Sequence, residues 1–254
     1  MNDTKNQLAV VVLAAGKGTR MHSELPKVLH PLAGRPMIDW VADLAQKMGA
    51  AKTVMVVGHR AELVQGHLAG RPGLAFALQQ SQRGTGHAVM AAAPELKGFA
   101  GQVLILYGDV PGLRPSTVRD LLERQTAQGD DLTVLAMELD PHPAYGRLVL
   151  DCAGRLERIV EERDATPAQK AITLVNSGIY VFRGEPLWEC LPLLNTDNDQ
   201  GEYYLTDLVA LFIERGYRVG YALAPEPLEL QGINSPEDLA LLEGRWAANG
   251  GKED

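Results

Sequence analysis

The chain has few of the residues that mark secreted or zinc-binding proteins. Among its 254 residues it has only two cysteines, Cys152 and Cys190, which form no Cys-x-x-Cys pair. Two cysteines in a chain of this length do not suggest a disulfide framework. Its six histidines show neither a His-Glu-x-x-His motif nor zinc-ligand spacing with the cysteines. We therefore expect two reduced thiols and no zinc site.

Long apolar runs and a basic surface are also missing. No apolar run reaches the roughly 18 residues of a membrane span, and the polar segment Met1 to Gln7 lacks the apolar core of a signal peptide. The formal net charge of −8 argues against nonspecific nucleic-acid binding through a basic surface. We expect a cytoplasmic protein with neither a membrane nor a nucleic-acid partner, in which a local basic site meets any anionic substrate.

Apolar segments alternate with helical patterns in the first half of the chain. Strands that are apolar throughout indicate a mostly parallel sheet covered by helices on both faces. The predicted strands are Leu8–Leu13, Val54–Val57, Leu74–Leu78 and Val103–Tyr107. The predicted helices are Met37–Met48, Ala61–Leu68, Thr85–Ala93 and Ser116–Gln128.

The pattern changes after Asp130, where strands follow one another with few helices between them. These strands are Leu132–Leu139, Gly146–Asp151, Leu156–Val160 and Leu174–Phe182. Later come two helices, a strand and a helix, at Pro186–Leu194, Tyr204–Arg215, Arg218–Leu223 and Pro236–Trp246. We predict one α/β domain over residues 1–254. A Rossmann-like, nucleotide-binding half covers about 8–130, and a smaller, partly antiparallel sugar-binding lobe with a return to the sheet covers about 131–246.

The first predicted strand runs into a loop of small residues that ends in cations. The loop reads Leu13-Ala14-Ala15-Gly16-Lys17-Gly18-Thr19-Arg20-Met21, and Pro26-Lys27 follows. Small residues leave backbone N–H groups uncovered for a phosphate chain, and Lys17, Arg20 and Lys27 offer positive charge to it. The spacing is neither a Walker A motif nor a dinucleotide fingerprint. The glycines alone are compatible with a tight turn, but the added cations favour a phosphate site.

Two further polar loops follow predicted strands. Asp109, in Tyr107-Gly108-Asp109, stands beyond the carboxyl end of a strand, where ligands bind in open α/β sheets. It suits Mg²⁺ held with phosphate oxygens and waters; the alternative is a solvated turn aspartate. In the other loop, the Gln79 amide could both accept from and donate to the edge of a base. Gly84 and Thr85 begin a helix whose free N–H groups suit a carbonyl or an anion, unless they serve only as its cap.

The first loop resembles the signature of the sugar-nucleotide pyrophosphorylases, Leu-Ala-Ala-Gly-x-Gly-Thr-Arg-Met followed by Pro-Lys. The run Gly84-Thr85-Gly86-His87-Ala88 resembles one branch of that family, the N-acetylglucosamine-1-phosphate uridylyltransferases. The resemblance extends from about Leu8 to about Trp246. Five later fragments agree with this branch in the same order: Tyr145-Gly146-Arg147, Ile159-Val160-Glu161-Glu162, Asn176-Ser177-Gly178-Ile179, Gln200 to Asp207, and Gly232-Ile233-Asn234.

The resemblance implies a role for each matching residue. Around the uridine nucleotide it implies Leu13, Ala14, Ala15, Gly16, Gln79, Gly84 and Thr85. Arg20 and Lys27 become catalytic cations that hold phosphates, whereas Asp109 and Asn234 bind the Mg²⁺ cofactor. At the N-acetyl sugar the resemblance implies Gly146, Glu161 and Asn176, with Tyr107, Gly108 and Asn234 also lining the substrate site and Glu202, Tyr203 and Asp207 fixing the lobe.

The reaction implied is transfer of UMP from UTP to N-acetylglucosamine-1-phosphate, giving UDP-N-acetylglucosamine, a peptidoglycan precursor for cell wall biogenesis, and pyrophosphate. Alternatives are another hexose-1-phosphate, another nucleotide such as dTTP, or a sugar-nucleotide sensor without turnover. The sensor is disfavoured because Arg20, Lys27 and Asp109 are all present. Bacterial members of the family usually carry a C-terminal left-handed β-helix that acetylates glucosamine-1-phosphate. No hexapeptide repeat of that kind occurs here, so we expect neither acetyl transfer nor oligomerisation through a β-helix.

Overall fold

The computed structural model describes residues 6–140 and 145–248, so most of the segment Met1 to Gln7 lies outside the described residues. Its strands are β1 (Leu8–Ala14), β2 (Pro31–Leu32), β3 (Arg35–Pro36), β4 (Lys52–Val57), β5 (Leu74–Leu78), β6 (Gln102–Tyr107), β7 (Leu132–Glu138), β8 (Arg147–Leu150), β9 (Leu156–Val160), β10 (Leu174–Arg183) and β11 (Val219–Leu223). Its helices are α1 (Met37–Lys47), α2 (Ala61–Leu68), α3 (Thr85–Ala92), α4 (Pro115–Gln128), α5 (Pro167–Lys170), α6 (Gly184–Cys190), α7 (Leu208–Glu214) and α8 (Pro236–Ala248).

The central sheet has the order β11-β7-β10-β6-β1-β4-β5. Its neighbouring strands are parallel, except that β10 is antiparallel to both β6 and β7. The α/β fold with a mostly parallel sheet is therefore confirmed. The antiparallel part is continuous with this sheet, because the ten-residue β10 also pairs with β8, which forms a hairpin with β9.

Side chains of the sheet are buried on both faces. In β1 all seven residues are buried, with Val11 and Leu13 in one core and Val10 and Val12 in the other. Helices α3, α6 and α7 cover the first face, whereas α1, α2 and α4 cover the second. This two-sided cover leaves the carboxyl ends of the parallel strands as the edge at which loops can form a site.

A small third core packs residues 32–40 against residues 233–246. Helix α8 packs Leu242 with Leu32 of the short hairpin β2–β3, and Trp246 meets Trp40 edge-on with ring centroids 5.0 Å apart. The backbone N–H of Ile233 donates to the carbonyl of Asp109 over 2.8 Å. This return path brings Asn234 beside the end of β6. None of the described helices combines the length and apolar character that crossing a membrane requires.

Candidate active site

The ends of β1, β5 and β6 surround a cavity of about 290 Å³, called here the first cavity. Its wall includes every residue predicted to contact the nucleotide: Leu13, Ala14, Ala15, Gly16, Gln79, Gly84 and Thr85. It also includes Lys27, Tyr107 and Asp109, together with Val28, Gln82, Ala88 and Glu202. Three loops that are distant in sequence therefore form one concave wall.

A second cavity, of about 320 Å³, adjoins the first. Its wall includes the residues predicted for the sugar, Gly146, Glu161 and Asn176, together with Arg20 and Asn234. Thr85, Tyr107 and Asp109 line both cavities, so the two meet at the end of β6. Gly108 lines neither: a Cβ on it would lie 2.9 Å from Ile38 Cδ1, so this residue packs against the core.

The loop after β1 is shaped by a glycine. Gly18 has φ +61°, and a Cβ on it would lie only 2.5 Å from the Cβ of Lys27. The missing side chain therefore lets the short 3₁₀ helix Lys27–Leu29 approach the loop. Lys17 and Arg20 are exposed; Arg20 lines the second cavity, whereas Lys17 lines neither the first nor the second.

Lys27 lies between the two residues predicted to bind Mg²⁺. Its Nζ contacts Asp109 Oδ2 and donates to Asn234 Oδ1 over 2.9 Å. Both partners are largely buried, because the side chains of Lys27 and Asp109 are 13% and 17% exposed. The Asn234 amide is oriented by its own Nδ2, which donates to the carbonyl of Gly232 over 3.2 Å. Lys27 was expected to hold phosphates, and in this state it holds the carboxylate.

These contacts also test whether the site fits a magnesium ion. One carboxylate oxygen and one amide oxygen converge on a single positive group, and both are the hard donors that Mg²⁺ prefers. Within residues 6–140 and 145–248, no group of three or more His, Cys, Asp or Glu side chains could hold a metal ion. An ion bound here would complete its coordination with phosphate oxygens and water, as Mg²⁺ commonly does.

Gln79 is almost fully buried, at 4% exposure. Its Nε2 donates to the carbonyl of Gly84 over 3.0 Å and lies 3.1 Å from His87 Nδ1. One N–H of this amide is therefore engaged inside the protein, and a His87 tautomer with unprotonated Nδ1 would engage the other, which leaves Oε1 as the atom open to a base. That this amide both accepts from and donates to the edge of a base stays a prediction, with one of its two N–H groups already bonded to Gly84.

Hydrogen bonds and close backbone packing hold the start of α3 against segment 202–205. Gly84 has φ +102°, and a Cβ on it would lie 2.5 Å from the Tyr203 carbonyl oxygen. That carbonyl accepts from Gly86 N–H over 2.8 Å, and Thr85 Oγ1 accepts from Leu205 N–H over 3.2 Å. One N–H group of the helix start is thus already used within the protein, and the anion site expected there is smaller.

Glu161 and Asn176 are held in fixed positions in the second cavity. Thr206 Oγ1 donates to Glu161 Oε1 over 3.1 Å, and Asn176 Nδ2 donates to the Tyr180 hydroxyl over 2.6 Å. Burial raises the pKa of the Glu161 carboxyl, and the nearby Asp207 adds to this effect. Gly146 leaves the approach to Glu161 open, because a Cβ there would lie 3.4 Å from both carboxylate oxygens.

Sequence reasoning missed several residues of the second cavity. Thr206 is buried and bonds Glu161, and Ser177, Tyr145 and Tyr180 also line the wall. Thr206 lies in the fragment Gln200 to Asp207 that the sequence singled out, but its contact with Glu161, 45 residues away in the chain, is a tertiary feature.

Burial raises the pKa of the Tyr107 phenol, with Glu161 and Asp109 adding to the shift, so this hydroxyl stays protonated.

Comparison with known proteins places this chain in a family. Residues 10–174 match the MobA-like NTP transferase domain. The chain belongs to this family. It is therefore a nucleotidyltransferase.

The relatives agree with this membership. The chain is 48% identical over 240 residues to the bifunctional protein GlmU of Geobacter metallireducens, covering 94% of this chain and 50% of the relative. It is 47% identical over 228 residues to that of Gloeobacter violaceus, covering 90% and 49%. The chain thus spans about half the length of these curated relatives. A Bacillus anthracis structure, provisionally described as a glucose-1-phosphate thymidylyltransferase in complex with a sucrose, matches with a TM-score of 0.74 at 17% identity over 94% of each chain. That likeness concerns the fold.

Proposed function

We propose that this chain transfers UMP from UTP to N-acetylglucosamine-1-phosphate, releasing pyrophosphate and forming UDP-N-acetylglucosamine. The observation that carries the proposal is the meeting of two cavities at Tyr107 and Asp109, with Lys27 lining the first cavity and Arg20 lining the second. A nucleotide in one and a sugar phosphate in the other would bring two phosphates together there. The relatives named GlmU, at 46–48% identity, support this choice.

The reaction is an in-line attack of a sugar-phosphate oxygen on the α-phosphorus of the nucleotide. No covalent intermediate on the protein is required, so positioning and charge neutralisation carry the catalysis. The small residues Ala14 to Gly16 expose backbone to the triphosphate, and Arg20 and Lys27 stabilise the charge on the departing pyrophosphate. Gln79 Oε1 accepts from the N–H of a uracil base.

Asp109 and Asn234 are the residues that would hold Mg²⁺. When bound, the ion supplies charge neutralisation at the reacting phosphates. Beside this position, the Tyr107 hydroxyl stays protonated because its pKa is raised. The Tyr107 ring packs against Gly178, where an added Cβ would lie 2.9 Å from the ring. The wall formed by Tyr107 thus limits how the two phosphates can approach each other.

The sugar is read in the second cavity. Glu161 offers carboxylate oxygens, and Asn176 has one amide hydrogen left after its bond to Tyr180. A buried polar group that loses its partner costs ~1–3 kcal/mol. The acetamide and hydroxyls of N-acetylglucosamine can satisfy these groups, whereas glucose lacks the acetamide. We place this reaction in the cytoplasm and its product in cell wall synthesis.

A pyrophosphate-release assay tests the proposal. UTP, dTTP, CTP and ATP would each be paired with N-acetylglucosamine-1-phosphate, glucose-1-phosphate and N-acetylgalactosamine-1-phosphate. The expected result is the highest kcat/KM for UTP with N-acetylglucosamine-1-phosphate. Equal kcat/KM for glucose-1-phosphate would show that the second cavity does not read the acetamide, and a preference for dTTP would support the alternative nucleotide.

A further inference from the structure

Lys27 occupies the point on which the two candidate metal ligands converge. Its ammonium contacts Asp109 Oδ2 and donates to Asn234 Oδ1, and both of these oxygens are assigned above to Mg²⁺. An ammonium and a metal ion cannot share this point, because both are cations that need the same two oxygens. Either the ion binds and Lys27 leaves, or Lys27 stays and the ion is excluded.

The surroundings allow the ammonium to leave while its backbone stays in place. The base of the side chain is fixed, because Lys27 begins a short 3₁₀ helix and its Cβ packs against Gly18. Lys27 lines the first cavity together with Ala14, Ala15 and Gly16. A flexible four-carbon stem can therefore carry the charge from Asp109 into that cavity.

We propose that Lys27 is a placeholder for the metal ion in the free protein. It neutralises Asp109 while the site holds no ion, and it transfers its charge to the nucleotide phosphates when an ion arrives. This inference rests on the proposed function, since it uses the metal site assigned there. Its consequence is that the free protein binds a divalent ion weakly, and that a triphosphate strengthens binding by giving Lys27 another anionic partner.

The test measures metal binding directly, without turnover. Mn²⁺ replaces Mg²⁺ as the probe, because it accepts the same oxygen ligands and its free form is counted by electron paramagnetic resonance. The proteins are wild type, Lys27→Met, Lys27→Gln and the matched control Lys97→Met, whose lysine is exposed and lines neither of the two cavities. Circular dichroism melts verify that each variant folds.

Removing the competing charge should raise Mn²⁺ affinity by about tenfold or more in Lys27→Met and Lys27→Gln, because the ion no longer has to displace the Lys27 ammonium from the two oxygens. Lys97→Met should equal wild type, and adding Asp109→Asn to Lys27→Met should remove the gain. Mn²⁺ should also raise the Tm of Lys27→Met more than that of wild type, because it restores a partner to Asp109.

Equal or weaker Mn²⁺ binding in the two folded Lys27 variants would overturn the placeholder. A gain that survives Asp109→Asn would overturn it as well, because the ion would then lie elsewhere. The proposed function is judged separately by pyrophosphate release from wild type. Tighter metal binding in Lys27→Met together with no turnover by wild type would support the placeholder and reject the uridylyl transfer.

Discussion

At the scale of single residues, the loop after β1 separates two exposed cations by position. Arg20 lines the second cavity, and Lys17 lines neither cavity. No hydrogen bond or ion pair joins Arg20 to the rest of the described chain, so its charge is available to a phosphate. Exposure does not distinguish the two residues, whereas their placement predicts different roles for them, as the family resemblance also does.

Arg20→Ala should lower kcat/KM about 10²–10³-fold, the loss found when a preorganised charge partner of the transition state is removed. Lys17→Ala should lower it less than about tenfold, as expected for a screened surface charge. Both variants should melt within a degree or two of wild type, because neither side chain is buried. Steady-state kinetics and thermal melts check this. If Lys17→Ala is the more damaging change, the loop has been placed wrongly.

A half-buried carboxyl, that of Asp207 beside Thr206 in the chain, gives a prediction on pH. Burial, reinforced by the charge of Asp164, raises the pKa of Asp207 from its ordinary value to about 6. A raised folded pKa means that the folded state binds the proton more tightly than the unfolded chain. The protein should therefore lose stability as the pH rises from about 4 to about 6.

Asp207→Asn removes this loss, so its Tm should exceed that of wild type at pH 7.5 and approach it at pH 4. The matched control is Asp197→Asn, an exposed carboxylate on the same side of the fold. Thermal melts of the three proteins across this pH range check the expectation. A Tm difference that is independent of pH would mean that Asp207 does not titrate in the folded protein between these limits.

At the scale of elements, apolar patterning predicts most boundaries of the strands and helices to within one or two residues of those in the structure. The strand predicted over Leu74–Leu78 and the helix over Ala61–Leu68 are confirmed at both ends. The helix predicted over Tyr204–Arg215 instead begins as a 3₁₀ turn, because Tyr203 and Leu205 bond the start of α3. Hairpin β2–β3 has two residues in each strand, too few for any periodicity to appear.

The fastening of α3 to segment 202–205 requires glycine at position 84. Gly84→Ala should cost ~1–3 kcal/mol of stability, because an L residue is strained at φ +102° and its Cβ would meet Tyr203. The control is Gly66→Ala in α2, where nothing lies within 4 Å of the added Cβ. That change should be neutral or should stabilise by up to ~1 kcal/mol. Urea unfolding measures both, and equal midpoints for the two variants would contradict the fastening.

At the scale of the whole molecule, long-range pairing could not be read from the sequence. Insertion of β10 between β6 and β7 depends on register between strands far apart in the chain. The contact of Lys27 with Asp109 spans 82 residues and that with Asn234 spans 207. The sequence suggests a ligand for each of Lys27, Asp109 and Asn234. Only the folded sheet and the position of α8 determine that Lys27 contacts the other two residues in this structure.

The segment before α8 brings Asn234 to the end of β6, and the last prediction concerns the two candidate metal ligands, Asp109 and Asn234. Asp109→Asn keeps the shape of the turn but removes its charge, so turnover should fall by about 10² or more and the Mg²⁺ requirement should rise. Asn234→Ala removes only a neutral ligand and should shift the Mg²⁺ curve with a smaller loss of maximal rate. Asp109→Asn should also lower the Tm, because Lys27 loses its buried counter-charge. Activity as a function of Mg²⁺ concentration, with melts in its absence, decides the matter: an unchanged curve for Asp109→Asn would make Asp109 a partner of Lys27 alone.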